Sequence, residues 1–381
     1  MTVRSEDVAT IVQPFPDRDR EAPEVYPHAN VTDLQAAGVV AAPLPSGLGG
    51  SDWTLLDSAI ATEEVAAASP STALLLAMPL GLAGVYAMDG DPIPTAHRDA
   101  WHEGQEWLSA QYLANRIFAA CNSEKGAGGS LDATKATVRL DADGNFRISG
   151  EKILASFGQH ADYFFSTAKA DPADLPGAGI VEFFFVPTGA PGVNILDDWD
   201  GFGMRPTESH TVRYDDAPAE RLAGFPDFIA TTQPLQYWYG LFAAIPLGCL
   251  RTLIRAIGDP APSSPALRLR VSDAVMRYEA LRAYLHETAT AWSPAAGPGY
   301  AARMLRTKTF VTQESTKLCA ELFALSGGRH YRRTSPVARS FADSFAGTAL
   351  RPPLPLALDM LVDQFSLGAA EPSAAPVAPA M

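Results

Sequence analysis

The stretch CNSEKGAGGS, residues 121–130, sets Ser123, Glu124 and Lys125 directly before three glycines packed into four positions. Glycines so spaced let the backbone turn tightly and approach a ligand closely, as phosphate-cradling loops do. Such a loop needs its lysine and a hydroxyl straight after the last glycine, and here Lys125 comes before Gly126, Gly128 and Gly129. The dinucleotide pattern GxGxxG fails too, because the spacing differs and no β-branched run leads into it. From these residues alone the stretch is either a surface turn or a ligand-facing loop of another kind.

Other reactive residues narrow the chemistry further. Cys121, Cys249 and Cys319 are odd in number and far apart, which suits neither a disulfide framework nor a CxxC metal site, so a reducing cytoplasm is the expected home. No grouping of Cys, His and carboxylates has zinc or iron spacing, and Asp215-Asp216 reads as a strand exit without a third ligand, so no metal is expected. No serine sits in a GxSxG turn, which removes the usual hydrolase. His102 and His286 fall among helical residues as surface or capping groups. Tyr237, Trp238 and Tyr239 could line a pocket, but consecutive helical residues point about 100° apart and at most two share a wall; packing between helices is the alternative.

The elements that position these residues change character twice. Up to about residue 119 the pattern is helical, with segments such as WTLLDSAIATEEVAAA at 53–68. From 120 the period becomes two: TVRL (137–140), FRIS (146–149), YFFSTA (163–168), VEFFFV (181–186) and HTVRY (210–214) are short aromatic or β-branched runs, the first two joined by a hairpin-like loop at 141–144. Helical periodicity returns at Leu235. Val271, Ala274, Val275, Tyr278, Leu281 and Leu285 form one apolar stripe, and a further helix from about Arg303 to Leu325 should stop at Gly327-Gly328. The expected domains are 1–119 (helical), 120–225 (antiparallel β) and 226–368 (four-helix bundle), followed by an Ala/Pro-rich disordered tail at 369–381. The fold class is α+β, mainly α.

Composition limits the partners. The chain has 381 residues, 47% hydrophobic and only 19% charged, with a net charge of −14. That charge repels nucleic acid and anionic membrane surfaces, and neither is expected as a partner. The longest apolar run, 72–87, contains Pro79 and is too short for a membrane span.

Four segments together resemble the acyl-CoA dehydrogenase superfamily of flavoproteins. NSEKGAGGS (122–130) looks like its T-E-P-x-A-G-S-D loop. GEKILASFGQHAD (150–162) looks like its second flavin strand, G-x-K-x-[WF]-[IA]-[TS]. GFGMRPTESHTVRYDDAPAE (201–220) is similar to its G-x-G-x-R-x-[ST]-x-[ST] segment, and SGGRHYRRTSPVARSFAD (326–343) to its G-G-x-G-[FY] segment. The resemblance implies an acyl-CoA-dehydrogenase-like fold and a homodimer or homotetramer. It implies FAD, held by Cys121, Ser123, Ala155 and Ser156 at the ring and by Gly327 and Gly328 at the nucleotide, with Ser156 donating to the ring and Gly128, Gly129, Tyr237 and Trp238 facing substrate. The implied function is flavin-dependent oxidation of an acyl thioester, such as an acyl-CoA, or a similar activated substrate, with an electron-transfer flavoprotein or a flavin reductase as partner.

Departures qualify that expectation. The glutamate that removes the α-proton in this family falls here on Ala346 or Arg351, and its other location, ahead of Pro246-Leu247-Gly248, falls on Trp238; none abstracts a proton. Ala342 replaces the arginine of an R-D pair whose aspartate is Asp343. Residues 258–270 lack the R-x-x-F-G turn that grips the FAD pyrophosphate, leaving Arg268 and Arg270 as available charge. Two alternatives follow. One is a two-component flavin monooxygenase of the same fold, taking reduced FMN or FAD as a diffusible co-substrate and using Ser156 and His160, although its N-terminal histidine position holds Pro79. The other is an inactive flavin- or acyl-binding homologue. His210 also falls within a family segment, and Arg205 is read as an ion-pair centre at the domain junction.

Overall fold

A computed structural model describes residues 2–90 and 92–364. The tail at 369–381 lies outside the described residues.

The N-terminal region is built on α1 (Phe15–Glu21), α2 (His28–Ala36), α3 (Leu55–Ala68), α4 (Pro70–Tyr86) and α5 (Arg98–Leu113). Helix α3 starts where Thr54 and Asp57 cap each other, the threonine hydroxyl accepting from the Asp57 N–H and the carboxylate from the Thr54 N–H. Helix α4 takes up the long apolar run and is buried on every side. A helix with no polar face belongs inside a core, and here other helices surround it.

Two glycines of α4 make that packing possible. A Cβ on Gly81 would lie 2.1 Å from Trp238 Nε1, and one on Gly84 would lie 2.0 Å from Tyr237 Cζ. The two aromatic side chains therefore sit in slots that only glycine leaves open. Gly84→Ala should cost about 1–3 kcal/mol by overpacking, outweighing the roughly 1 kcal/mol gained in helix propensity. A thermal melt checks this, and an unchanged midpoint would show that Tyr237 is not locked in that slot.

The middle region is one curled sheet of β1 (Phe118–Ala120), β2 (Thr137–Leu140), β3 (Phe146–Ala155), β4 (Tyr163–Ala170), β5 (Glu182–Pro187), β6 (Val193–Ile195), β7 (His210–Ala219) and β8 (Arg221–Leu222). Strand order is β6-β7-β3-β2-β4-β5-β8, with β1 added on β4. The sheet is mainly antiparallel, as expected, with two parallel pairs, β1–β4 and β2–β4. After the β2–β3 hairpin the chain crosses β2, so β4 enters in the direction of β2 and meets it only with its last residues.

The C-terminal region holds α6 (Leu235–Gly258), α7 (Pro265–Thr290), α8 (Pro298–Leu325), α9 (Pro336–Ser344) and α10 (Leu354–Gln364). Three of these are long. The fourth position of the expected bundle is shared by short α9 and by α3, both packed on α6. Of the stripe on α7, Ala274, Leu281 and Leu285 are buried. Helix α8 ends at Leu325, and Gly327 turns the chain at φ +79°. By length and composition α6 could cross a membrane, yet 72% of its apolar window is buried inside the fold, as suits the hub of a bundle.

Candidate functional site

Strand β3 prepares the site by breaking its own regularity. Its pairing with β7 slips between Lys152 and Ala155, a bulge that turns Leu154 outward at φ +61° and leaves it 50% exposed. Phe157 is left-handed as well, at φ +71°. Two strained residues thus bracket Ala155-Ser156, at a cost of about 1–2 kcal/mol each, and strain of this kind gathers at functional sites. The Ile153 N–H donates to the Ser123 carbonyl at 2.8 Å, zipping the glycine-rich loop to β3. Ser123 and Ser156 thereby come to one wall. The Ser156 hydroxyl lies 3.0 Å from that of Ser209, which lies 2.7 Å from Thr207 Oγ1, and Thr207 donates to the Met204 carbonyl at 2.8 Å. Among the described residues the Ser123 hydroxyl has no hydrogen-bond partner.

Behind this wall lies a buried ion pair that sequence reasoning did not single out. Lys152 Nζ donates to Glu124 Oε1 at 2.6 Å and to the Thr167 carbonyl at 2.6 Å, and both side chains are almost wholly buried. Glu124 also accepts from the Lys135 and Ala136 N–H groups at 2.6 and 3.1 Å. Burial alone would raise the Glu124 carboxyl, but the ammonium and the two amides outweigh it and hold it below its ordinary range. Burial pulls Lys152 down, and Glu124 opposes that pull. The signal was present in the sequence: an acid in the glycine loop and a lysine in the following strand, each next to the residues expected to touch a ligand.

The wall faces a cavity of about 110 Å3 lined by Ser123, Leu154, Ser156, Phe165, Phe183, Trp238, Tyr239 and Phe242, with 349–351 across its mouth. Arg351 anchors this strap. Its Nη1 donates to the Gly129 carbonyl at 2.5 Å and its Nη2 to the Asn122 carbonyl at 3.4 Å. From inside, Lys308, 1% exposed, donates to the Leu350 and Pro352 carbonyls at 2.9 and 2.8 Å, and burial pulls its ammonium down to about 7. Among the described residues, no Asp, Glu or His lines this cavity.

Comparison with known proteins accounts for the arrangement. Three domain families match in order along the chain: acyl-CoA dehydrogenase, N-terminal domain, over residues 6–91; middle domain, over 119–217; and C-terminal domain, over 250–350. The chain belongs to the acyl-CoA dehydrogenase family. It is 24% identical to the probable acyl-CoA dehydrogenase YngJ of Bacillus subtilis (strain 168), over 86% of this chain and 90% of that protein. It is 25% identical to the amino sugar nitrososynthase DnmZ of Streptomyces peucetius, over 88% and 85%. The solved structure of TdsC from Paenibacillus sp. A11-2, a complex with FMN and indole, superposes with a TM-score of 0.80 at 19% identity, covering 95% of this chain and 96% of TdsC, and so shares its fold.

Measured against the acyl-CoA dehydrogenase pattern, the residues singled out from sequence separate into two groups. Ser123, Ser156, Trp238 and Arg351 line the cavity, and Gly129 presses against Pro353 of the strap, whose Cδ a Cβ there would meet at 2.4 Å. Gly128, left-handed at φ +59°, has open space around it. Tyr237 is the clearest correction. Its hydroxyl lies 2.7 Å from that of Ser58, and its ring packs edge-on against Trp292, away from the cavity, because the rotation of about 100° per helical residue gives that wall to Trp238 and Tyr239 instead. Cys121 and Ala155 are fully buried and do not reach the lining. Ala346 starts a short helical turn of which the last residue, Ala349, lines the cavity while Ala346 itself does not, and Gly327-Gly328 turn at the far end of α8.

His160 and His210 also lie elsewhere, in a polar cleft of about 440 Å3 with Glu24, Asp197 and Glu208. His160 stacks on Tyr26 with centroids 3.7 Å apart, and His210 Nδ1 accepts from the Asp198 and Trp199 N–H groups, both at 3.1 Å. Asp343 accepts from the Met204 N–H at 2.5 Å, and burial pushes its carboxyl up to about 7. An aspartate raised in the folded state loses stability as pH climbs from its unfolded value near 4 through 7, since the unfolded chain releases the proton first. Asp343→Asn keeps the acceptor for Met204 and removes that penalty. The variant should therefore gain on the parent by on the order of a few kcal/mol between pH 5 and pH 8, read from paired melts; a constant difference would show that Asp343 does not titrate there.

Proposed function

We propose that this protein is a two-component flavin monooxygenase acting on a small, flat, apolar substrate. The observation that carries the reading is Arg351, a cation bound to two carbonyls at the mouth of a cavity that, among the described residues, no carboxylate or histidine lines. Removal of an α-proton from an acyl thioester needs a base within hydrogen-bond reach, and this lining offers none. Oxygen insertion needs no such base. One oxygen atom of O2 enters the substrate, the other leaves as water, and a reduced flavin supplies the two electrons when bound. TdsC, which shares the fold, holds FMN together with indole, and the aromatic lining here suits a ring of that kind.

The residues present fit the polar edge of a flavin. The unpaired Ser123 hydroxyl and the Ser156 hydroxyl, held in place by Ser209, offer donors from one wall, while Leu154 is thrust outward by the bulge. The enclosed volume of about 110 Å3 is below the roughly 300–1,000 Å3 of ligand pockets in general, so only a leading ring edge enters while the strap stays closed. Ser156 would orient the ring edge, Phe165, Phe183 and Trp238 would exclude water around the substrate, and Arg351 would close the entrance. The expected assembly into a homodimer or homotetramer fits the exposed Leu269, Met276 and Phe310 on α7 and α8.

The test pairs the purified protein with a flavin reductase, NADH and FMN or FAD under 18O2, with indole as the aromatic probe. Labelled product, absent without O2, is the expected result. Anaerobic bleaching of bound flavin by butyryl-CoA would overturn the proposal in favour of acyl-CoA dehydrogenation, and failure to bind either flavin would point to an inactive homologue.

A further inference from the structure

Arg351 is a cation without a counter-charge. The chain carries 43 acidic against 29 basic side chains, yet among the described residues no carboxylate lies within ion-pair distance of this guanidinium. Its two Nη groups hold the neutral Gly129 and Asn122 carbonyls, which takes up two of five N–H donors. The Nε–H has no acceptor, and it keeps accessible surface, unlike the covered Nε atoms of Arg251 and Arg339. Burial pulls the guanidinium below its ordinary range. Tyr239 and Glu124 pull the other way, but Glu124 is already held by Lys152 and two backbone amides.

Tyr239 brings a second donor to the same cavity from α6. Its hydroxyl also lacks a partner and keeps accessible surface, whereas the neighbouring Tyr237 hydroxyl is satisfied by Ser58. Burial pushes the Tyr239 hydroxyl up to about 12, with the charge of Arg351 only moderating the shift, so it stays protonated near neutral pH and donates. Two open donors, one of them charged, thus border a cavity whose apolar walls include Phe165, Phe183, Trp238 and Phe242. Burying a charge without a partner is costly, and the lining supplies none, so the guanidinium calls for an anion from outside. A guanidinium matches above all a carboxylate, whose two coplanar oxygens accept charge-assisted hydrogen bonds.

We propose that the substrate is a small aromatic carboxylate: its ring enters between Phe165, Phe183 and Trp238, and its carboxylate stays at the mouth, accepting from the Arg351 Nε–H and the Tyr239 hydroxyl. The inference rests on reading this cavity as the substrate site, and it narrows that reading. The flat apolar part of the substrate is its ring, and Arg351 and Tyr239 determine specificity by fixing which edge of that ring points inward. The other oxyanion that could meet the guanidinium is the phosphate of FMN, and the two are told apart by titration.

Calorimetric titration of the flavin-free protein at pH 7.5 with benzoate and with benzamide, which keeps the shape and lacks the charge, tests this. Benzoate should bind about tenfold more tightly than benzamide, the difference expected of a charge-assisted hydrogen bond. Arg351→Met should bring benzoate down to the level of benzamide. Because Arg351 also ties the strap to the glycine-rich loop, Tyr239→Phe provides a second variant: its hydroxyl has no partner to strand, so the melting temperature should hold while benzoate affinity falls about tenfold. FMN and riboflavin are titrated against the same proteins. Equal affinity for benzamide, benzoate binding undiminished in folded Tyr239→Phe, a loss in Arg351→Met confined to FMN, or no heat with millimolar benzoate would overturn the proposal. None of these titrations requires turnover, so benzoate binding in the expected pattern without labelled product from the reductase system would overturn the oxygenation reading and leave the carboxylate site standing.

Discussion

Lys152→Met should destabilise the protein by about 3–5 kcal/mol, the usual cost of leaving one member of a buried pair without its partner. The methionine fills much the same space, so little of that cost comes from packing. What remains is Glu124, still in contact with two backbone amides but facing an apolar side-chain end where the ammonium stood 2.6 Å away. Its charge then has to be carried without compensation or lost by protonation, and the glycine-rich loop keeps only its backbone tie to β3, from the Ile153 N–H to the Ser123 carbonyl. The double variant Lys152→Met, Glu124→Gln removes the stranded charge and should recover most of the loss, because replacing both partners of a buried pair is often close to neutral. Melting temperatures of the parent, single and double variants decide the matter. A single variant as stable as the double would show that the pair is not coupled.

Ser156→Ala should lower flavin-dependent turnover by about 10²–10³, the range seen when one preorganised donor is removed from an active site, while the melting temperature stays close to that of the parent. The separation of effects follows from the hydroxyl relay. Ser209 keeps its contact with Thr207 at 2.7 Å after Ser156 loses its oxygen, so no buried polar group is stranded. Unchanged turnover with the reductase system would remove Ser156 from the chemistry, and a large drop in melting temperature would make it a structural residue instead.

Much of this architecture could be read in advance, because it rests on local patterns. The apolar run 72–87 became α4 almost residue for residue, the glycine pair at 327–328 ended α8, and the segments at 137–140 and 146–149 formed the expected hairpin. What escaped was set by distance along the chain. The parallel neighbours of β4 depend on where a crossing connection lands, which alternation cannot reveal. Tyr237 looked like pocket lining, yet its direction is fixed by a glycine slot on α4 that no local pattern announces. Of the candidate site, Ser123, Ser156, Trp238 and Arg351 reached the same cavity because each is anchored by a backbone feature: a bulge, a glycine slot or a strap. Glu124 and Lys152 escaped because charged residues in motifs are read first as surface groups, and only burial shows otherwise.

The seating of Trp238 and Tyr237 against the N-terminal helices joins positions 160 and 179 apart in the chain. The sheet is thus a cassette inserted into a single helical body, with both of its ends pinned by that body. On the ribosome, α4 must wait, with apolar side chains on every face, until the whole cassette has emerged and α6 follows it. Long-range closure of this sort slows folding and prolongs the exposure of sticky surface.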